Sequence, residues 1–181
     1  MRRRHPVLPD YLRTGLRVLF VGINPGLRSA TLSHHFAGHS NRFWKLLYDA
    51  RLVDEPLTYV DDARLTTWGI GLTNLIERPT AGVEALSPVE FEAGREALEQ
   101  KIRRYRPRIV ALLGITIYRK LFGHTLAPAE TPPVGRTPAV LGGRPVYLLP
   151  NPSGRNACYS YQRLVSAYCE LARTVGPPAR P

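Results

Sequence analysis

At 181 residues and 44% apolar content the chain is long enough to close one real core and too short to suggest several domains. Its 25 lysines and arginines against 14 acidic residues give a formal charge of +11, which points to a polyanionic partner without choosing among DNA, RNA and anionic lipid. No apolar run approaches the roughly 18 residues of a membrane span, the opening residues lack the apolar stretch of a signal peptide, and two cysteines are too few for a four-cysteine cluster or zinc site, so a cytoplasmic protein with reduced thiols is expected.

The first apolar run, residues 17–22, ends at glycine and reads as a buried strand feeding the turn Ile23-Asn24-Pro25-Gly26. Residues 41–52 carry Phe43, Trp44, Leu46, Leu47 and Tyr48 near helical spacing, with Ser40 or Asn41 placed to cap the free backbone donors. A second strand is expected over 69–76, ending around 77–80. Ser87-Pro88-Val89-Glu90 combines an N-cap serine, a proline at the first helical position and the glutamate of a capping box, opening a helix to about Arg104. A strand over 108–114, a short helix over 115–122, a strand over 145–150 and a helix over 161–174 complete the pattern. The proline-rich stretch 127–138 is expected to cross the surface without regular structure. Strands alternating with helices imply a mainly parallel sheet, since each crossover needs a helix to bring the chain back. Neither an internal repeat nor a linker divides residues 1–181, and the ends, about 1–14 and 176–181, are expected to be loose.

Ligands of open parallel sheets collect beyond the carboxyl ends of the strands. Three loops lie there: 22–27, 74–80 and 151–157. The first and last share an Asn-Pro dipeptide followed by glycine, a rigid turn that presents an amide and lets a polymer backbone come close.

Four blocks in order, Gly22-Ile-Asn-Pro-Gly-Leu27, the Phe36 to Trp44 segment with its Asn41-Arg-Phe-Trp44, Gly71-Leu-Thr-Asn-Leu-Ile-Glu-Arg-Pro-Thr80 and Asn151-Pro-Ser-Gly154, resemble the bacterial mismatch-specific uracil-DNA glycosylases and their relative thymine-DNA glycosylase. The likeness runs from about Leu16 to Leu171. It implies a single-domain, three-layer α/β/α fold with a short, mainly parallel central sheet, and hydrolysis of the N-glycosidic bond of a uracil flipped out of double-stranded DNA, G·U mispairs above all. It also implies a monomer that needs no cofactor and no metal.

By the same resemblance Asn24 positions the attacking water; its carboxamide can hold water without being a strong base. Gly22 and Ile23 line the base pocket, Phe36 stacks on the extruded base, and Asn74 can both donate to and accept from the edge of uracil. The loop with Asn151, Ser153, Gly154, Arg155 and Asn156 grips phosphates and fills the vacated space. Arg155 departs from the leucine common in the bacterial enzymes, so it fills the gap, contacts the orphan guanine or holds phosphate. Glu77 either supports the pocket or pairs with Arg78 or another surface cation. His34, His35 and His39, without an evident fourth ligand, read as solvated or DNA-facing histidines, and Lys101, Arg103, Arg104, Arg106 and Arg108 as a solvated face. The alternative to a glycosylase is a non-catalytic module that senses flipped or damaged bases.

Overall fold

The computed structural model describes residues 7–123, 126 and 132–177. Five strands, β1 (Val18–Gly22), β2 (Ile70–Asn74), β3 (Ile109–Leu113), β4 (Gly135–Leu141) and β5 (Arg144–Leu149), form one sheet in the order β2-β1-β3-β5-β4. Every pairing is parallel except that of the edge strand β4 with β5. The helices are α1 (Leu27–Leu32), α2 (Phe43–Asp49), α3 (Pro88–Tyr105), α4 (Ile115–Phe122) and α5 (Tyr161–Val175), with 3-10 helices at Tyr59–Trp68 and Val83–Ala85.

Alternation along the strands divides the core in two. Val18, Phe20, Ile70, Leu72, Ala111 and Leu113 pack under α2, α5 and the longer 3-10 helix, through Phe43, Leu47, Leu65 and Tyr168. Leu19, Val21, Val110, Leu112, Val146 and Leu148 pack under α3 and α4, through Phe91, Ile102, Ile117 and Leu121. The expected three-layer α/β/α arrangement is therefore what the chain forms. The helix boundary at Ser87 is also as expected: the Ser87 side chain accepts from the Glu90 amide while the Glu90 carboxylate accepts from the Ser87 amide.

Four expectations give way. Residues 135–138 of the proline-rich stretch belong to β4, while 127–131 lie outside the described residues. The strand exists because Gly142 and Gly143, both at positive φ, make a tight turn that folds it back on β5, pairing Leu141 with Arg144. The amino-terminal segment is not loose from residue 8 onward: Leu8 is buried, Tyr11 bridges to Leu72, and Asp10 accepts from Thr73 Oγ1 at 2.6 Å and pairs with Lys101 at 2.6 Å. Lys101 is thereby part of a packed contact and not of a solvated face.

His35 is the fourth correction, whereas His39 is exposed as expected. His35 is 1% exposed, its Nε2 donates to Pro9 O at 2.8 Å, and its backbone N–H donates to the Asp62 carboxylate, which also meets His34 Nδ1 at 3.1 Å. The chain reverses tightly here and needs buried partners for its polar groups. Burial lowers the His35 pKa below the usual histidine value, against smaller opposing effects of the Pro9 carbonyl and Asp62. The unfolded chain takes up this proton near pH 6.5 and the folded one resists it. Stability from this site is accordingly complete above about pH 6.5 and declines as the pH falls below it. Thermal unfolding between pH 5.5 and 8 should show that acid-side decline, with a shallower slope in His35→Gln; an identical slope in both proteins would remove His35 from the explanation.

Candidate functional site

The carboxyl ends of β1 and β2 lie side by side, with Gly22 opposite Asn74. Their pairing continues past both strands: Leu75 N donates to Gly22 O at 2.8 Å, Ile76 N to Ile23 O at 2.8 Å and Thr80 N to Pro25 O at 3.2 Å. The Ile23-Asn24-Pro25-Gly26 turn is thus strapped to the 75–80 loop by backbone alone.

Asn24 projects from that strap. Its Nδ2 donates to Thr80 Oγ1 at 2.7 Å and to Arg78 O at 3.0 Å, with Pro25 O farther at 3.3 Å. Main-chain carbonyls accept only, so the amide orientation is fixed and Oδ1 is left with no donor among the described residues. Thr80 is 7% exposed and passes its own hydroxyl proton to Gly82 O at 2.7 Å, which leaves its lone pair for Asn24. Arg78 is held in turn by a two-pronged contact with Glu90, at 2.6 and 2.9 Å, and by Ala85 O. The Arg78 guanidinium, followed by the Ser87 amide, holds the Glu90 carboxyl down to about 2, so the clamp stays ionised at any ordinary pH.

Asn74 is 9% exposed, yet its side-chain amide has no hydrogen-bond partner among the described residues. A Cβ on Gly22 would stand 2.7 Å from Asn74 Oδ1 and 3.9 Å from the Phe36 ring. Gly22, Asn74 and Phe36 therefore converge, and the missing Cβ is what lets the Asn74 side chain lie against the end of β1. Phe36 has φ +52°, a left-handed backbone that costs a bulky residue about 1–3 kcal/mol. Phe43 lies against its ring, with centroids 4.0 Å apart and planes at 30°.

The 151–157 loop is held largely by itself and by a residue sequence reading passed over. Asn151 Oδ1 accepts from Ser153 N, Ser153 Oγ accepts from Arg155 N, and Asn156 Nδ2 donates to Asn151 O. From the segment before α2, Arg42 donates to the carbonyls of Pro152, Ser153 and Asn156. Asn41, one residue before the Arg42 N-cap of α2, accepts from Phe43 N, while Ser40 sits so close to Gly154 that a Cβ there would stand 2.6 Å from the Ser40 carbonyl oxygen. Gly154 is thus needed for the protein's own packing. Arg155 reaches across to the other loop, donating from Nη1 to Ala81 O at 3.0 Å.

The structure therefore brings Gly22, Phe36 and Asn74 together, holds Asn24 in the adjoining turn against Arg78 and Thr80, and ties the 151–157 loop to the same end of the sheet through Arg155. Ile23 is partly buried against the α3 and α4 side of the core. Glu77 does not join them: it is exposed and lies 3.6 Å from Lys101, the surface pairing and not the pocket support. A cavity of about 570 Å³ opens beside Phe36, between α2 and residues 56–59; of the expected site residues, Phe36 alone lines it. Thr80 and Arg42 both stood in recognised blocks without a role, and the partners of Arg42 lie more than a hundred residues away.

Residues 9–172 match the profile of the uracil DNA glycosylase superfamily. Among solved structures the chain is similar to that of a Methanosarcina acetivorans protein described as a "putative Uracil DNA glycosylase", at 18% identity and a TM-score of 0.63, covering 94% of this chain and 98% of the other. At that identity the likeness is one of fold.

The three Arg42 contacts predict that Arg42→Ala loosens one loop and little else. Amide exchange of residues 153–156 should quicken about tenfold, the equivalent of 1.4 kcal/mol of local opening, with the strands unaffected. Exchange that quickens evenly across the sheet, or not at all in the loop, would contradict this assignment.

Proposed function

The chain belongs to the uracil DNA glycosylase superfamily, and from that premise we propose that it is a monofunctional glycosylase of the mismatch-specific type, hydrolysing the N-glycosidic bond of uracil in DNA, G·U mispairs foremost. The observation that carries the mechanism is the clamped amide of Asn24. With its donors spent on Arg78 O and Thr80 Oγ1, the free Oδ1 can only accept, and an acceptor of this kind orients a water by one of its hydrogens.

The reaction then proceeds by charge separation more than by proton removal. As the bond between base and sugar lengthens, the deoxyribose acquires oxocarbenium character and the base leaves as an anion. Water held at Asn24 adds to the anomeric carbon, its oxygen forming the new bond while the proton passes to solvent or to the departing base. An amide has no basicity to hasten this, so the rate depends on how well the leaving group carries charge. Asn74, buried and unpaired, can donate from Nδ2 to a uracil carbonyl and accept the N3 proton at Oδ1. Phe36, braced by Phe43, offers a ring for stacking.

DNA is the partner this reading requires, and the charge of +11 favours it. Extrusion of a paired base costs a few kcal/mol, which a side chain filling the gap partly recovers. Arg155 has the position and length for that role once its contact with Ala81 O is exchanged for DNA. Ser153 and Asn156 contribute through the shape of the loop, since part of their hydrogen-bonding capacity is spent within it.

Single-turnover cleavage of duplexes with one G·U, A·U or G·T pair, beside single-stranded uracil, tests the reading. Cleavage of G·U should exceed that of A·U, and Asn24→Ala should lose about 100-fold or more in rate while duplex binding persists, as for removal of one fixed polar group from a transition state. Full activity in Asn24→Ala would remove it from the mechanism; binding without cleavage in the wild type would leave a sensing module. Arg155→Ala should weaken processing of paired uracil more than of single-stranded uracil, whereas an equal loss on both would make it a phosphate contact.

A further inference from the structure

Apart from Phe36, the residues lining the cavity beside α2 have no part in the mechanism above, yet they have a definite chemistry. About 570 Å³ is the size of an ordinary ligand site. Phe36, Trp44, Tyr48 and Tyr59 supply aromatic surface, and Tyr48 is 43% exposed. Arg28 lies on the same wall; its Nε is held by Ala37 O at 2.8 Å, and its terminal nitrogens have no partner among the described residues. Lys45, also lining it, is neutralised by Asp49 at 2.5 Å. Arg28 is thus the cation of this wall that is free to meet an anion.

Position adds a second argument. The wall residues Phe36, His39 and Asn41 belong to the strap that carries Ser40 against Gly154 and Arg42 onto the 151–157 loop. A DNA strand engaged by that loop, with one base near Phe36, has the cavity as its neighbour. One exposed ring, Tyr48, flanked by the partly buried Phe36 and Tyr59 and by an arginine whose terminal nitrogens have no partner among the described residues, is a combination single-stranded DNA uses: a base stacks on the exposed ring whatever its identity, and the cation meets phosphate. An aliphatic ligand would gain nothing from the arginine, and a bare anion nothing from the rings.

We infer that this cavity binds one or two unpaired nucleotides of the strand carrying the extruded base, a single-stranded DNA subsite separate from the Asn24 crevice. The inference rests on the glycosylase reading for its choice of strand, and its test uses DNA without uracil so that the two stand or fall apart. The indole N–H of Trp44 is buried with no acceptor among the described residues, so a small tilt of the ring toward an occupant's oxygen would be repaid by a hydrogen bond.

The chain has two tryptophans, and Trp68→Phe leaves Trp44 as the single indole reporter. Titrating this protein with a thymidine octamer should change Trp44 fluorescence, with the half-saturation concentration raised about tenfold by Tyr48→Ala and by Arg28→Gln. Arg28→Gln should also flatten the salt dependence by roughly one phosphate contact. An abasic octamer of equal charge should leave the signal unchanged, and Asn24→Ala should respond to the thymidine octamer as the parent does. Arg28 and Tyr48 are both exposed, and matching unfolding temperatures would exclude misfolding as the cause of a weakened response. No signal with thymidine, an equal signal with the abasic strand, or a signal indifferent to both substitutions would overturn the inference whatever the cleavage assays return.

Discussion

The parallel pairing of β1 with β2, carried beyond the strands into their loops, is the constraint on which the candidate site depends. Ordinary ladders end with the strands and leave loops to side chains and water. Here the backbone of Gly22, Ile23 and Pro25 goes on accepting from Leu75, Ile76 and Thr80. Asn24 is therefore placed by main-chain atoms on both sides, and its amide finds the Arg78 carbonyl and Thr80 hydroxyl already waiting. A side chain with two rotatable bonds loses little further entropy when its surroundings are set in this way. The capping box of α3 belongs to the same construction: Glu90 accepts from Ser87 and grips Arg78, whose carbonyl holds Asn24.

A second construction meets the first from the other side. The segment from Phe36 to Arg42 stacks one ring on Phe43, seats Ser40 against Gly154 and spends the Arg42 guanidinium on three carbonyls of the 151–157 loop. Both Asn-Pro turns are thus held by residues far away in sequence, and Arg155 joins them through Ala81 O. Charge-assisted bonds from a planar guanidinium to several carbonyls fix a loop more firmly than one neutral bond. Arg17 does the same at the opposite end of the sheet, where it is 6% exposed and donates to the carbonyls of Leu52, Trp68 and Gly176.

Local signals in the sequence were enough for the parallel strands, α3 with its cap, α4 and α5, because each depends on apolar period, proline and capping chemistry within a few residues. The recognised blocks also singled out Gly22, Phe36 and Asn74, which lie together at the ends of β1 and β2. What escaped depends on distant partners. Gly142-Gly143 is a readable hairpin signal, but the prolines before it masked β4. His35 looks like part of a polar loop until Pro9 and Asp62 fold over it. Arg42 and Thr80 stand in recognised blocks, but nothing local gives their roles, which are set by carbonyls and an amide that other segments supply.

The same carbonyls bear on why an amide, and not a carboxylate, stands at position 24. An aspartate would turn one anionic oxygen toward Arg78 O, where a donor now sits at 3.0 Å, and toward Thr80 Oγ1, whose proton is committed to Gly82 O. Thr80 could redirect that proton only by leaving the Gly82 carbonyl unpaired, and Arg78 O has nothing to give. The facing oxygens would raise the carboxyl pKa and favour the protonated, non-basic form, cancelling much of the advantage a general base brings. On the proposed chemistry, then, the scaffold that orients the amide also excludes the stronger base. The leaving-group-limited reaction proposed above would then follow from how the two loops are joined as much as from the choice of one side chain.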